Sequence, residues 1–138
     1  MIFKPLQYDS GKTKDLALAY GETVAKGDPL MFDSGYVKKA DATETSAVRY
    51  VALEGDTCTA TGDTILAVET RGVEFEAQCT ANSAQSQVGT ITNLSSVAGS
   101  TGKVSNSTAT GNIFLITQTV GPAADKLVRG YFLDRVNV

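Results

Sequence analysis

Short apolar runs separated by polar turns set the rhythm of this chain. Between residues 16 and 76, runs of four to six residues recur at the eight-to-twelve-residue spacing of strands in a sandwich or barrel. Strands are predicted at 16–20, 30–33, 36–39, 48–53, 65–68 and 73–77, where β-branched and aromatic residues suit a half-buried pleated surface. Gly-Asp, Asp-Ser-Gly and other glycine-containing turns divide them. No stretch there holds the helical apolar period for three turns.

The flanking regions differ in character. Residues 1–15 mix Pro5, Gly11 and three lysines with little periodicity, and are expected to form an extended arm ahead of a single β-rich domain over 16–138. Between Ala77 and Ala124 the only charged side chain is Lys103, while Ser, Thr, Asn, Gln and Gly dominate. Such a segment suits turn-rich β structure, a solvated loop, or a surface covered by another protein, because interface centres are depleted in charge. Within it, 88–91 and 113–116 are apolar enough for core strands. Pro122 could open a short helix over 123–128, after which KLVRGYFLDRVNV alternates again and is expected to close the sheet. The predicted fold is therefore all-β: a small β-barrel or β-sandwich with an extended N-terminal arm and little helix.

One internal echo stands out. Gly21-Glu22-Thr23-Val24 followed by Gly27-Asp28 is repeated as Gly55-Asp56-Thr57-Cys58 followed by Gly62-Asp63, each leading into an apolar run. Glycine supplies positive φ and aspartate bonds nearby backbone amides, so this is turn chemistry first. Two similar hairpins would explain it, and a duplicated ancestral unit is the sharper alternative.

Composition narrows the function. With 138 residues, 42% of them apolar, the chain suits one domain whose core needs no metal or disulfide staple. It contains no histidine, no tryptophan and two cysteines, which removes imidazole acid–base catalysis, Ser-His and Cys-His pairs and most zinc sites. A net charge of −3 offers no field for gathering phosphate backbones, so nucleic acid is not the expected partner. Neither a signal-like apolar stretch near the start nor a membrane-spanning run is evident, so a cytoplasmically made, soluble protein is expected, with Cys58 and Cys79 as free thiols.

The remaining motifs reduce to structure. Ser10-Gly11-Lys12-Thr13 and Gly99-Ser100-Thr101-Gly102-Lys103 resemble the end of a phosphate-binding loop, but Leu6 and Val97 stand where its first glycine belongs. Both are expected to be turns. Among the acidic residues Asp56, Asp63, Glu69, Glu74 and Glu76, the last two share one face of a strand with Phe75 opposite, as on a solvated sheet. No catalytic, cofactor-binding or metal-ligating residues are expected, and no small-molecule substrate.

Taken in order, GETVAKGDPLMFDSGYVKKA, AVRYVALEGDTCTATGDTILAVETRGVEFEA, NSAQSQVGTITNL and NIFLITQTVGPAADKLVRGYF resemble the head decoration, or capsid cement, proteins of tailed bacteriophages. The resemblance spans residues 16–132 and rests on the succession of features, with no single diagnostic motif. It implies a β-rich domain on the outer surface of the virion capsid, made in the host cytoplasm. The expected partner is the major capsid protein, bound by homotrimers at local three-fold sites of the expanded head and stabilising it against DNA pressure. On that footing Ile2, Phe3, Leu6 and Tyr8 of the arm are candidate capsid-binding residues, adding a strand to an exposed edge, and Val97 and Ala98 are candidate trimer contacts. The alternative is a non-catalytic carbohydrate-binding or tail-associated adhesin module. Against it stand the missing tryptophan and the small set of five tyrosines, two of them in strands expected to be buried.

Overall fold

The computed structural model describes residues 1–40, 48–95, 99–106 and 113–133. Twelve strands are found among them, arranged antiparallel in two five-stranded sheets and one two-stranded ribbon. The first sheet runs β1 (Phe3–Pro5), β9 (Phe75–Gln78), β12 (Leu127–Phe132), β11 (Phe114–Val120), β10 (Ile91–Thr92). The second runs β2 (Thr13–Ala17), β8 (Thr64–Glu69), β6 (Tyr50–Ala52), β4 (Pro29–Asp33), β5 (Tyr36–Lys39). Strands β3 (Thr23–Val24) and β7 (Asp56–Thr57) form the ribbon. Helical structure among the described residues is limited to single 3₁₀ turns at Ser10–Lys12, Gln85–Gln87 and Ala123–Asp125.

The second sheet curls into a small barrel. Just beyond β2, Leu18 makes a parallel bridge to Val37 of β5, and Ala19 N–H donates to the Val37 carbonyl at 3.0 Å. Leu18, Val24, Leu30, Val37, Ala52, Cys58, Ile65 and Ala67 fill its interior. The first sheet is drawn round in the same manner by Val104, which bridges Cys79 on one side and Leu94 on the other. Val104 N–H donates to the Gln78 carbonyl at 2.8 Å, and Thr92 Oγ1 donates to the Ser105 carbonyl.

A larger core joins the two sheets. Phe3, Phe75, Phe114 and Phe132 form an aromatic cluster with ring centroids 4.6–6.3 Å apart, tilted or edge-to-face as ring quadrupoles favour. Val51 and Val68 join it from the second sheet. Because Ala52 and Ala67, their immediate neighbours, point into the barrel, β6 and β8 are buried on both faces and belong to both cores.

The extended conformation expected for residues 1–15 is present, but not as a free arm. Strand β1 pairs with β9 in the register Phe3↔Ala77 and Pro5↔Phe75, and β2 pairs with β8 in the register Thr13↔Val68 to Ala17↔Thr64. Phe3 is completely buried. In this structure the segment supplies one strand to each five-stranded sheet. The burial of one phenylalanine and the pairing of two strands over long sequence separation, which no local pattern reveals, bind this segment into both sheets.

Two further expectations change. The strand predicted at 88–91 shrinks to Ile91–Thr92, because the chain turns at Gly89 (φ 87°) and Gln87 accepts from Thr90. The echoed segments are not two hairpins: β3 pairs with β7, so each echo finds the other across a local two-fold, Thr23↔Thr57. Their hydroxyls meet at 3.1 Å on that axis. Each following turn uses its aspartate alike. Asp28 Oδ2 accepts from Ala25 N–H at 2.9 Å and Asp63 Oδ2 from Ala60 N–H at 3.3 Å, while the Ala25 and Ala60 carbonyls accept from the aspartates' own amides.

Candidate functional site

Three regions decide what the surface can do: the N-terminal segment, the charged motifs singled out from the sequence, and the exposed aromatic residues. Of the four candidate capsid-binding residues, Phe3 has its side chain completely buried in the aromatic core, where it presents no surface. Ile2 is half-buried against the same core. Leu6 and Tyr8, at 36% and 39% exposure, follow β1 on a stretch held by the Leu6 N–H donating to the Glu74 carbonyl at 3.0 Å. Leu6 shares the wall of a groove with Gln7, Gly72, Glu74 and Tyr131. There the Tyr131 hydroxyl donates to Glu74 Oε2 at 3.0 Å, and this bond to a carboxylate raises the phenol above its ordinary range. The candidate trimer contacts Val97 and Ala98 lie outside the described residues.

The phosphate-loop look-alikes are turns. Lys12 Nζ donates to the Arg71 carbonyl at 2.9 Å and Thr13 Oγ1 to the Ser10 carbonyl at 2.8 Å, so both side chains tie down the turn that starts β2. In the other motif, Gly102 N–H donates to the Ser95 carbonyl and Lys103 N–H to that of Ser100. Among the described residues no group of three or more His, Cys, Asp or Glu side chains could hold a metal ion. Cys58 and Cys79 are free thiols, buried in different cores, and desolvation pushes the Cys79 thiol up to about 11. A thiol that keeps its proton at neutral pH is a poor nucleophile.

Part of the charge-poor stretch from Ala77 to Ala124 faces inward. Cys79, Leu94, Val104 and Ile113 are core residues, and the hydroxyl residues Ser83, Thr92 and Ser95 are buried. Absence of charge there reflects core building at these positions, a contribution that composition did not separate from interface formation.

Sequence reasoning missed the aromatic end of the barrel. Tyr36, at the start of the strand predicted at 36–39, is 41% exposed, and Tyr20, at the end of the strand predicted at 16–20, lies beyond β2 in a turn at 75% exposure. Phe32 is about half exposed and meets Tyr50 edge-to-face. The signal was present in Asp33-Ser34-Gly35-Tyr36. A two-residue turn with positive φ at both Ser34 (53°) and Gly35 (86°) fits a tight type I′ hairpin, placing Tyr36 at its rim.

No protein-family model matches the chain, and neither a curated protein nor a solved structure does.

Proposed function

We propose that this protein is a capsid decoration protein, which attaches to the exterior of an expanded phage head as trimers at local three-fold sites and secures it against the pressure of packaged DNA. The observation that carries the reading is a pair of apolar side chains on a paired frame: Leu6 and Tyr8 stay exposed although β1 and β2 on either side are locked into sheets. The order of sequence features from the first Gly-Asp turn to GYF supports it. A segment held between two paired strands before contact forfeits little conformational entropy on docking, unlike an arm that must order at the capsid.

Stabilisation then follows from differential affinity. A ligand that binds the expanded lattice better than the unexpanded one shifts the balance toward expansion, by RT ln(1 + [L]/Kd) per site. Trimerisation joins three weak contacts and raises their effective concentration. The test is co-sedimentation with expanded and unexpanded heads of the parent phage. Wild-type protein should pellet with expanded heads alone, and the Leu6→Ser/Tyr8→Ser variant should need about tenfold more protein for the same occupancy. Equal failure with both kinds of head removes the proposal.

A further inference from the structure

At one end of the barrel lies an open cleft of about 310 Å³, bordering the barrel core at Leu18 and sharing no lining residue with the groove beside Leu6. Leu18, itself buried, forms part of its wall, and Tyr20 and Tyr36 bring aromatic rings to it. Asp33, Ser34 and Thr61 supply polar atoms. The backbone holds these groups in place. Asp33 and Tyr36 are direct partners across the hairpin, and the segment bearing Tyr20 is fastened to β5 by the Leu18↔Val37 bridge.

The folded chain gains little from this arrangement, since a ring exposed to 75%, like that of Tyr20, contributes almost nothing to its own core. The lining selects its occupant by charge. An anion would meet the Asp33 carboxylate and no cationic side chain of the cleft wall. An organic cation would be drawn by two aromatic faces and a carboxylate. Asp33, however, already has its counter-charge, with Lys38 Nζ 3.6 Å from Oδ2. What fits a carboxylate already shared with a neighbouring ammonium is an uncharged ligand with an apolar C–H face for the tyrosines and a rim of hydroxyls for the polar atoms.

We infer that this cleft binds a neutral saccharide, one or two pyranose rings of a longer glycan stacked on Tyr20 and Tyr36 and hydrogen-bonded by Asp33, Ser34 and Thr61. The volume lies at the small end of ligand sites, which run from about 300 to 1,000 Å³, and the open cleft lets a chain continue beyond it. The inference does not depend on the capsid reading. If both hold, many copies on one shell would turn a weak single-site affinity into firm attachment to a glycan-coated surface.

The test uses the whole protein in solution. Tyrosine ring resonances are followed by NMR during titration with maltotriose, cellotriose and chitotriose to millimolar concentrations, and with tetramethylammonium in parallel. At least one sugar should shift the Tyr20 and Tyr36 rings saturably, and Tyr20→Ala should weaken that binding about tenfold or more. Because Tyr20 is so exposed, the variant should keep the wild-type unfolding midpoint. Lys38→Met should tighten tetramethylammonium binding and leave the sugar's affinity within about twofold. Absence of any saturable shift with all three sugars overturns the inference. So does tetramethylammonium binding wild type more tightly than every sugar.

Discussion

A methyl group at position 130 has nowhere to go. The Cβ of an alanine there would collide with the Leu115 carbonyl oxygen and lie 2.8 Å from the Phe114 ring. The reason is the β-bulge alongside, where the β11–β12 register jumps from Ile116↔Gly130 to Gln118↔Arg129 and draws the two backbones together. Gly130→Ala should therefore destabilise the fold by about 1–3 kcal/mol, lowering the urea midpoint. Cys79 offers a test in pH. Burial holds its folded pKa near 11 against an ordinary value of 9.0, so the folded thiol stays protonated where the unfolded one ionises. Its contribution to stability is complete below about pH 9 and declines as pH rises toward 11. Cys79→Ala should flatten that alkaline decline, measured as denaturation midpoint against pH. At this scale the sequence was only partly legible. Phe75 announced itself by alternating with Glu74 and Glu76, whereas Leu94 and Val104 stand alone among polar residues and become core only through bridges to distant partners.

Strands reward sequence reading when they pair with neighbours along the chain. The elements β4 and β5 lie where the pattern puts them, at Pro29–Asp33 and Tyr36–Lys39, because two turn residues fix their register locally. Strand β1 escaped notice, and β2, predicted at 16–20, runs Thr13–Ala17 instead, because their partners, β9 and β8, are far away in sequence and their own apolar patterns are only one or two residues deep. Deleting residues 1–5 should leave an aggregation-prone or unfolded product, seen as loss of the near-ultraviolet CD signal, since it removes Phe3 from the aromatic cluster and uncovers one side of β9. The paired Gly-Asp turns provide an internal control. Asp28 is buried and also lies 3.7 Å from Lys39, while Asp63 is more exposed. Removing each carboxylate should thus cost unequally: Asp28→Ala about 1–3 kcal/mol, and Asp63→Ala less, by chemical denaturation. The similar bonding of the two turns about a local two-fold fits the duplication alternative and excludes the two-hairpin one.

For the molecule as a whole, the decisive arrangement is that β6 and β8 serve both cores. Neither core survives intact if the other loses those strands, so heat should produce one calorimetric transition whose van't Hoff and calorimetric enthalpies agree. Two resolved transitions would mean that barrel and first sheet melt separately. All-β architecture was legible from turn spacing alone. Closure of each sheet was not, because it depends on single residues, Leu18 meeting Val37 and Val104 reaching both Cys79 and Leu94. These small clasps bear on life at high local concentration. Unpaired strand margins invite copies of a chain to zip together into disordered aggregates, and a surface carrying many molecules side by side would multiply that hazard. By occupying strand margins at both sheets with its own residues, the chain reduces the backbone through which crowded neighbours could cross-pair, leaving side chains to govern which contacts form.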